Sequence, residues 1–268
     1  FPLHQWLPNA YAYAPSMATA FLAATATKVS VYVLLRFYFN VFDPAPVFDQ
    51  LPTREALIAL SVAAMVTASL VAVFEQDVKR LFAYSSVAQI GYITLGIGVD
   101  NQATLTGSIV HLLNHGVTKG AIFLLLGGVV LRSGGLPLTV AGLAGLGRRM
   151  PLTAFGLVVA GLSLIGVPGT AGFITKWYLV VGAMDRGLWW LVAVIVASSL
   201  IAAAYVWRIV EAAYLRAAGE GAVSREAPPG MLAAGLAMAA LCVYFGLETS
   251  FSVGAAGEAA AFLLGGQR

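Results

Sequence analysis

The sequence predicts an all-α polytopic transmembrane bundle of about seven spans, one of them discontinuous, and three observations carry that prediction. Hydrophobic residues make up 60% of the chain and charged residues 10%, against roughly 25% charge in soluble domains, and the mean hydropathy is +0.87. Seven apolar segments follow one another, most with room for the ~20 residues that a helical span requires. Basic residues gather at alternate ends of those segments, as the preference of Lys and Arg for one side of a membrane demands.

In order, the chain opens with FPLHQWLPNAYAYAPS, where Pro2, Pro8 and Pro15 are expected to break any helix and Trp6, Tyr11 and Tyr13 suit a membrane interface. It reads as the tail of an earlier span, so the chain is expected to be part of a longer polypeptide. The segments then run from about Ser16 to Asn40, Arg54 to Glu75, Arg80 to Val99, Gln102 to Leu131, Pro151 to Met184, Gly187 to Leu215 and Met231 to Glu248. The fifth is too long for one straight span. It contains IGVPGTAGF, and Gly166, Pro168, Gly169 and Gly172 predict a helix broken near Pro168. The Ala- and Gly-rich stretch from Gly254 to Arg268 has no assigned role.

Loop charges test the count independently. Lys79, Arg80, Arg132, Arg148, Arg149, Arg208, Arg216 and Arg225 fall on one side, and Arg54, Arg186 and Arg268 on the other. Asp43, Asp49, Asp100 and Asp185 sit on the basic-poor side. The first span therefore starts in the cytoplasm. The net charge of +3 is thus a topology signal, and no basic run interleaved with aromatics suggests nucleic acid. The single cysteine, Cys242, excludes an intrachain disulfide.

Ionisable groups inside the spans are the functional signal, because each costs several kcal/mol unless it faces protein or water. His111, His115 and Lys119 recur every four residues in IVHLLNHGVTKGAIFLLL. On a helix they climb one side in ~6 Å steps while drifting ~80° around the axis. Lys28 lies mid-segment in AATATKVSVYVLL, too deep to snorkel easily, and its structural alternative is an ion pair with an acid. Lys176 follows directly on the helix break, where freed carbonyls can solvate an ion. Arg208 and Glu211, three apart, read as a structural pair. Trp189, Trp190 and Trp207 read as interfacial anchors, and Gly127 and Gly128 as close-packing positions.

Other chemistry lacks its motif. HLLNH has the i, i+4 histidines of a zinc helix but neither the adjacent glutamate nor a third ligand candidate. No GxGxxG, Walker loop or CxxC is present, so no cofactor is expected. What remains is a line of protonatable groups, each able to gain or lose a proton at modest cost. The residues themselves thus describe a lateral proton path near the bilayer midplane.

FPLHQWLPNAYAYAP, TATKVSVYVLLRF, DVKRLFAYSSVAQIGY, HLLNHGVTKGAIFLL and PGTAGFITKWYL, in that order, resemble the proton-conducting antiporter-type subunits. These are the L, M and N type membrane subunits of respiratory complex I, an NADH-quinone oxidoreductase, and the Mrp-type cation/proton antiporters; the last motif is similar to the D-type Mrp antiporter chain. The resemblance implies two inverted five-helix repeats, with residues 1–50 ending the first, 54–215 forming the second and 216–268 a C-terminal span and tail. It implies that Lys28 is the connecting lysine of the first half-channel. It further implies that His111, His115 and Lys119 are second-repeat relay residues and that Lys176 is the broken-helix lysine, a position the M-type subunits fill with glutamate. Other membrane subunits, the lipid bilayer, protons, and Na⁺ or K⁺ as exchanged ions are the implied partners, in the inner (cytoplasmic) membrane, with no redox centre in this chain. The competing expectation is a non-conducting scaffold subunit whose polar residues only bind helices together. A conduit predicts hydrated, mutually reachable Lys and His; a scaffold predicts each one buried against a single partner.

Overall fold

A computed structural model describes residues 2–42, 46–134, 138–218 and 225–265, and among these it contains helices and no strand. Asp43 and Arg268, used above in the count of loop charges, lie outside the described residues. Six helices are long and apolar enough to cross a membrane. They match six of the expected segments within a few residues, and the expected discontinuous segment supplies two shorter helices, Pro151–Ile165 and Ala171–Asp185.

The chain begins with a short helix α1 (Trp6–Tyr13), contrary to the expectation that its prolines break any helix. Pro8 occupies the third position of α1, where a backbone N–H has no intrahelical partner to lose, so the ring is tolerated there. Pro15 then separates α1 from the first long span, Ser16–Val41. This span is not a uniform α-helix. It consists of α2 (Ser16–Phe21), a π-helical turn at Leu22–Ala26, α3 (Thr27–Arg36) and a second π turn at Phe37–Val41.

Helices α4 (Thr53–Phe74) and α5 (Val78–Val99) form a tightly packed pair, joined by a turn in which Asp77 caps α5 by accepting from the Arg80 amide at 2.8 Å. Most of α5 is buried, which makes it the central strut of the bundle. Helix α6 (Gln102–Arg132) starts from a capping box between Asn101 and Thr104 and runs antiparallel beside it. The loop after α6 is tied to the α4–α5 turn by Val78 N to Leu138 O and Val140 N to Gln76 O, both 2.9 Å.

The helical segment Ala141–Arg149, which ends in a short helix α7 (Leu146–Arg149), turns by 115° into α8 (Pro151–Ile165), a bend that no sequence feature singled out above anticipates. Pro151 fills the first position of α8, and the Glu226 carboxylate caps it from Leu152 N at 2.7 Å and Thr153 Oγ1 at 2.6 Å. The expected break follows: Gly166 is left-handed at φ 84°, Gly169 at φ 85°, and α9 (Ala171–Asp185) resumes after Thr170. Helices α10 (Trp189–Leu215) and α11 (Pro229–Leu247) complete the span set. The Ala- and Gly-rich tail forms a further helix α12 (Ser250–Gly265), and its Ala260 joins a cluster with Val31, Leu35, Ile97 and Leu105.

Ion pairs sort to the two ends expected from the loop charges. At one end Arg80 pairs with Glu75 at 3.2 Å. At the other, Arg54 pairs with Asp100 at 3.1 Å, and Arg186 donates to the Asp100 backbone oxygen. Arg208 and Glu211 do not pair with each other. Arg208 instead donates to the Val73 and Glu75 carbonyls at the end of α4, which have no helical partner, and Glu211 pairs with Arg216 at 3.1 Å. Trp189, Trp190 and Trp207 are exposed on the bundle surface, as anchors require. A Cβ on Gly128 would lie 2.4 Å from Ala227 Cβ, and one on Gly127 3.0 Å from Ser16 Cβ and Met231 Cε, so both are close-packing positions.

Asp100 is the one non-glycine residue with positive φ among those described, at 54°. Burial holds its carboxyl above the usual carboxylate range, opposed by the nearby Arg54 and Arg186 guanidinium groups. Left-handed backbone costs a residue with a Cβ ~1–2 kcal/mol, least for Asp, Asn and Gly. Asp100→Asn is therefore expected to melt closer to the wild type than Asp100→Val, which adds branching strain in addition to removing the charge. Thermal unfolding of the protein in detergent measures the difference; equal melting points would contradict the assignment of strain to this turn.

Candidate functional site

The five ionisable groups expected inside the spans are all buried: Lys28, His111, His115, Lys119 and Lys176. Three elements position them. Lys28 opens α3 just after the first π turn, and its Nζ folds back onto the carbonyl of Ala23 within that turn. The π turn offers this acceptor because its wider pitch disturbs the ordinary i to i−4 pairing. His111, His115 and Lys119 lie on α6, and Lys176 lies on α9 with its neighbour Trp177 pointing outward at 56% exposure.

Helix α6 presents one face to the helix break and another to α5. His111 Nδ1 lies 3.0 Å from Thr175 Oγ1, the Asn114 amide donates to Ala171 O at 2.8 Å, and Thr118 bonds Ser163 at 3.1 Å. Each of these partners belongs to α8 or α9. The drift of the staircase then turns Lys119 toward α5, where its Nζ donates to Phe82 O at 2.7 Å and to Ser85 Oγ and lies 5.4 Å from the Phe82 ring centroid. Between these two ends, His115 stacks on His111 with centroids 5.4 Å apart and planes 6° from parallel. Neither ring nitrogen of His115 has a hydrogen-bond partner among the described residues, and the same holds for Asn114 Oδ1.

Lys176 sits where the break exposes carbonyls. Its Nζ donates to Ile165 O, to Ser199 Oγ at 2.9 Å and, at the 3.5 Å limit, to Leu164 O, and it lies 4.9 Å from the Tyr92 ring centroid. The C-terminus of α8, which carries partial negative charge, thus faces a cation. Two glycines make this approach possible. Gly166 holds left-handed backbone, and a Cβ there would also lie 2.8 Å from Lys176 Cδ. Gly172 lets the first turn of α9 cross the last turn of α8, where a Cβ would come within 1.8 Å of Ser163 O. Gly172 N also donates to Ser163 Oγ at 3.3 Å. Gly169 is the second left-handed glycine of the break, and Pro168 lies between the two helices.

The cationic groups contact neutral oxygen acceptors. None of the four ion pairs among the described residues includes Lys28, Lys119 or Lys176. The acid partner that a structural reading of Lys28 calls for is therefore not found among them. His111 is within electrostatic reach of Lys176, Lys28 and Lys119, and His115 of Lys28, His111 and Lys119.

Several participating residues carried no signal of their own in the sequence: Ser85, Thr175, Ser163, Ser199 and Gln89, whose side-chain oxygen lies 2.9 Å from His111 Nε2. Polar residues four apart in AYSSVAQIGY, Ser85 and Gln89, could have suggested a polar face on α5. The others are single hydroxyls that only the packing brings to the site.

Comparison with known proteins places these features in a family. Residues 1–202 match the model of the NADH:quinone oxidoreductase/Mrp antiporter transmembrane family. A relative from Desulforudis audaxviator, NADH-quinone oxidoreductase subunit N, is 45% identical over 232 residues, covering 86% of this chain and 46% of the relative. NADH-quinone oxidoreductase subunit M of Rhodobacter capsulatus is 37% identical over 204 residues, covering 76% of this chain and 38% of the relative. In the solved Mrp complex from Dietzia sp. DQ12-45-1b, one chain superposes with a TM-score of 0.87 at 26% identity, over 98% of this chain and 56% of that one. The chain thus spans about half the length of the curated relatives it matches or less.

Proposed function

The chain belongs to the NADH:quinone oxidoreductase/Mrp antiporter transmembrane family, and from that premise we propose that it translocates protons as the C-terminal part of a subunit in a multisubunit complex of the cytoplasmic membrane. Protons move laterally along Lys28, Lys119, His115, His111 and Lys176, or are exchanged there against Na⁺ or K⁺. Residues 54–215 act as one repeat unit, and residues 1–50 close the preceding one.

The observation that carries this reading is the neutral shell around each lysine. A buried lysine paired to a carboxylate must break an ion pair to release its proton, and removing one partner of such a pair costs several kcal/mol. Lys28, Lys119 and Lys176 instead donate to carbonyl and hydroxyl oxygens. An uncharged amine keeps two hydrogens, enough for both acceptors of Lys119 and for Ile165 O and Ser199 Oγ at Lys176, so loss of a proton gives up only the long contact to Leu164 O. His115, with no bond holding either nitrogen, is free to receive from one side and give to the other. Of the scaffold expectation, only Lys28 fits, with its single protein partner.

In the full-length subunit within its complex, Lys176→Ala is expected to lower proton translocation at least tenfold, in line with the ~10²–10⁴-fold contribution of a positioned proton-transfer group. Assembly should be retained. Arg208→Ala, which removes a cap on α4, should lower thermal stability with little effect on the transport rate per assembled complex. Proton pumping or gradient-driven exchange in membrane vesicles reads both, and wild-type transport by Lys176→Ala would favour the scaffold.

A further inference from the structure

His111 touches protein through both ring nitrogens, and its two contacts differ in kind. Nδ1 faces the Thr175 hydroxyl at 3.0 Å, and Nε2 faces the Gln89 side-chain oxygen at 2.9 Å. A hydroxyl can donate or accept; an amide oxygen only accepts. Which end of the Gln89 amide faces the ring is fixed chemically. The other end lies 3.3 Å from Leu164 O, a carbonyl with no hydrogen to give, so the NH₂ group must be there and the oxygen must face His111.

We infer that Gln89 is a positioning residue that holds neutral His111 in its Nε2–H tautomer and closes that nitrogen to proton traffic, leaving Nδ1, beside Thr175, as the one port through which the ring both takes up and releases a proton. The reversed tautomer would set two lone pairs against each other at Gln89 and leave the ring nitrogen unsatisfied in a buried site. An amide in this position is also a poor relay, since its oxygen could pass a proton only if its nitrogen gave up one. At Nδ1 the situation is opposite. Thr175 donates to the neutral ring, and when Nδ1 takes a proton the hydroxyl turns over to accept, without backbone movement.

The geometry gives the port a direction. Thr175 precedes Lys176 on α9, and Leu164 O, which receives the Gln89 amide, also receives Lys176 Nζ. The end of α8 therefore carries both the lysine and the lock on the histidine. His115 stacks on the ring face and Tyr92 approaches edge-on at 6.4 Å, so neither competes for a ring nitrogen. The importance of the port for transport rests on the proton-relay reading above; the tautomer does not.

Nitrogen-15 solid-state NMR of histidine-labelled, full-length subunit in its lipid-embedded complex decides the matter, with His111 assigned by difference against His111→Gln. The wild type should show Nε2–H, with the other tautomer at least about tenfold rarer. Gln89→Met removes the acceptor while keeping bulk, and should bring Nδ1–H to a comparable population. Thr175→Val should leave Nε2–H in place. Nδ1–H in the wild type, or a tautomer that responds to Thr175→Val and ignores Gln89→Met, overturns the proposal. If Gln89→Met does not assemble, Gln89→Glu keeps an acceptor at the same place, and loss of its Nε2–H signal overturns the proposal equally. Because the spectrum is read without transport, wild-type transport by Lys176→Ala would refute the relay and leave the lock standing.

Discussion

Gly172→Ala is expected to prevent the broken helix from forming as described and to be the most damaging Gly→Ala change among the described glycines. The added Cβ would lie 1.8 Å from Ser163 O and 3.0 Å from the Ser163 carbonyl carbon. Both atoms are backbone, so no side-chain rotation relieves the clash. To reach ordinary contact, α8 and α9 must part by more than an ångström. That movement also pulls Ser163 from Thr118 and from Gly172 N, and the Ile165 carbonyl from Lys176. Overpacking a well-packed site costs ~1–3 kcal/mol and occasionally more; the loss here should reach or exceed the top of that range. Thermal unfolding and native-gel assembly of the full-length variant measure it. A variant that melts and assembles like the wild type would show that the crossing is looser than described. Gly230→Ala, at a position where a Cβ meets no atom within 4 Å, is the control.

Lys119→Met should separate stability from function. Lys119 is 0% exposed, and its ammonium relies on one carbonyl and one hydroxyl. Replacing this buried amine, which has no counter-ion, by an apolar side chain of similar volume removes a desolvation penalty on the order of several kcal/mol for the charged form. The surroundings suit methionine: the Phe82 ring already lies against the lysine, and a thioether packs well on an aromatic. The complex should therefore melt no lower than the wild type while proton translocation falls at least tenfold. If Lys119 only binds helices together, the opposite result follows, with lower stability and transport kept in proportion to the amount assembled.

The spans were legible because a membrane forces long apolar runs, and the break because Gly166, Pro168, Gly169 and Gly172 together disfavour a continuous helix. The five ionisable residues were equally plain, each being anomalous in its own segment. Their partners were not. Gln89 and Thr175 reach His111 from α5 and α9, and the sequence holds no trace of that meeting. Arg208 misled in the other direction: three-residue spacing to Glu211 permits a pair, but unsatisfied carbonyls at the end of α4 were a better use of its donors. Pro8 misled because its penalty depends on position within the helix, which cannot be known until the first turn is located.

The π turn at Leu22–Ala26 has a consequence for how the first span is compared with others. Counting ~100° per residue from Ser16 as a straight helix, Thr19, Ala20 and Ala23 cluster about one direction, while Lys28, Val31 and Leu35 would cluster roughly 100° away from it. Yet all six are buried. Treating one residue of the π turn as an insertion absorbed by the wider pitch brings both triplets onto the same face, within about 60° of its centre. The turn therefore works as a phase correction, one residue long, without which Lys28 would point out of the bundle. An alignment of this span with a helix that lacks the wide turn should place its one-residue gap between Leu22 and Ala26, inside the membrane, and a gap moved to either loop would match the lysine to the wrong residue.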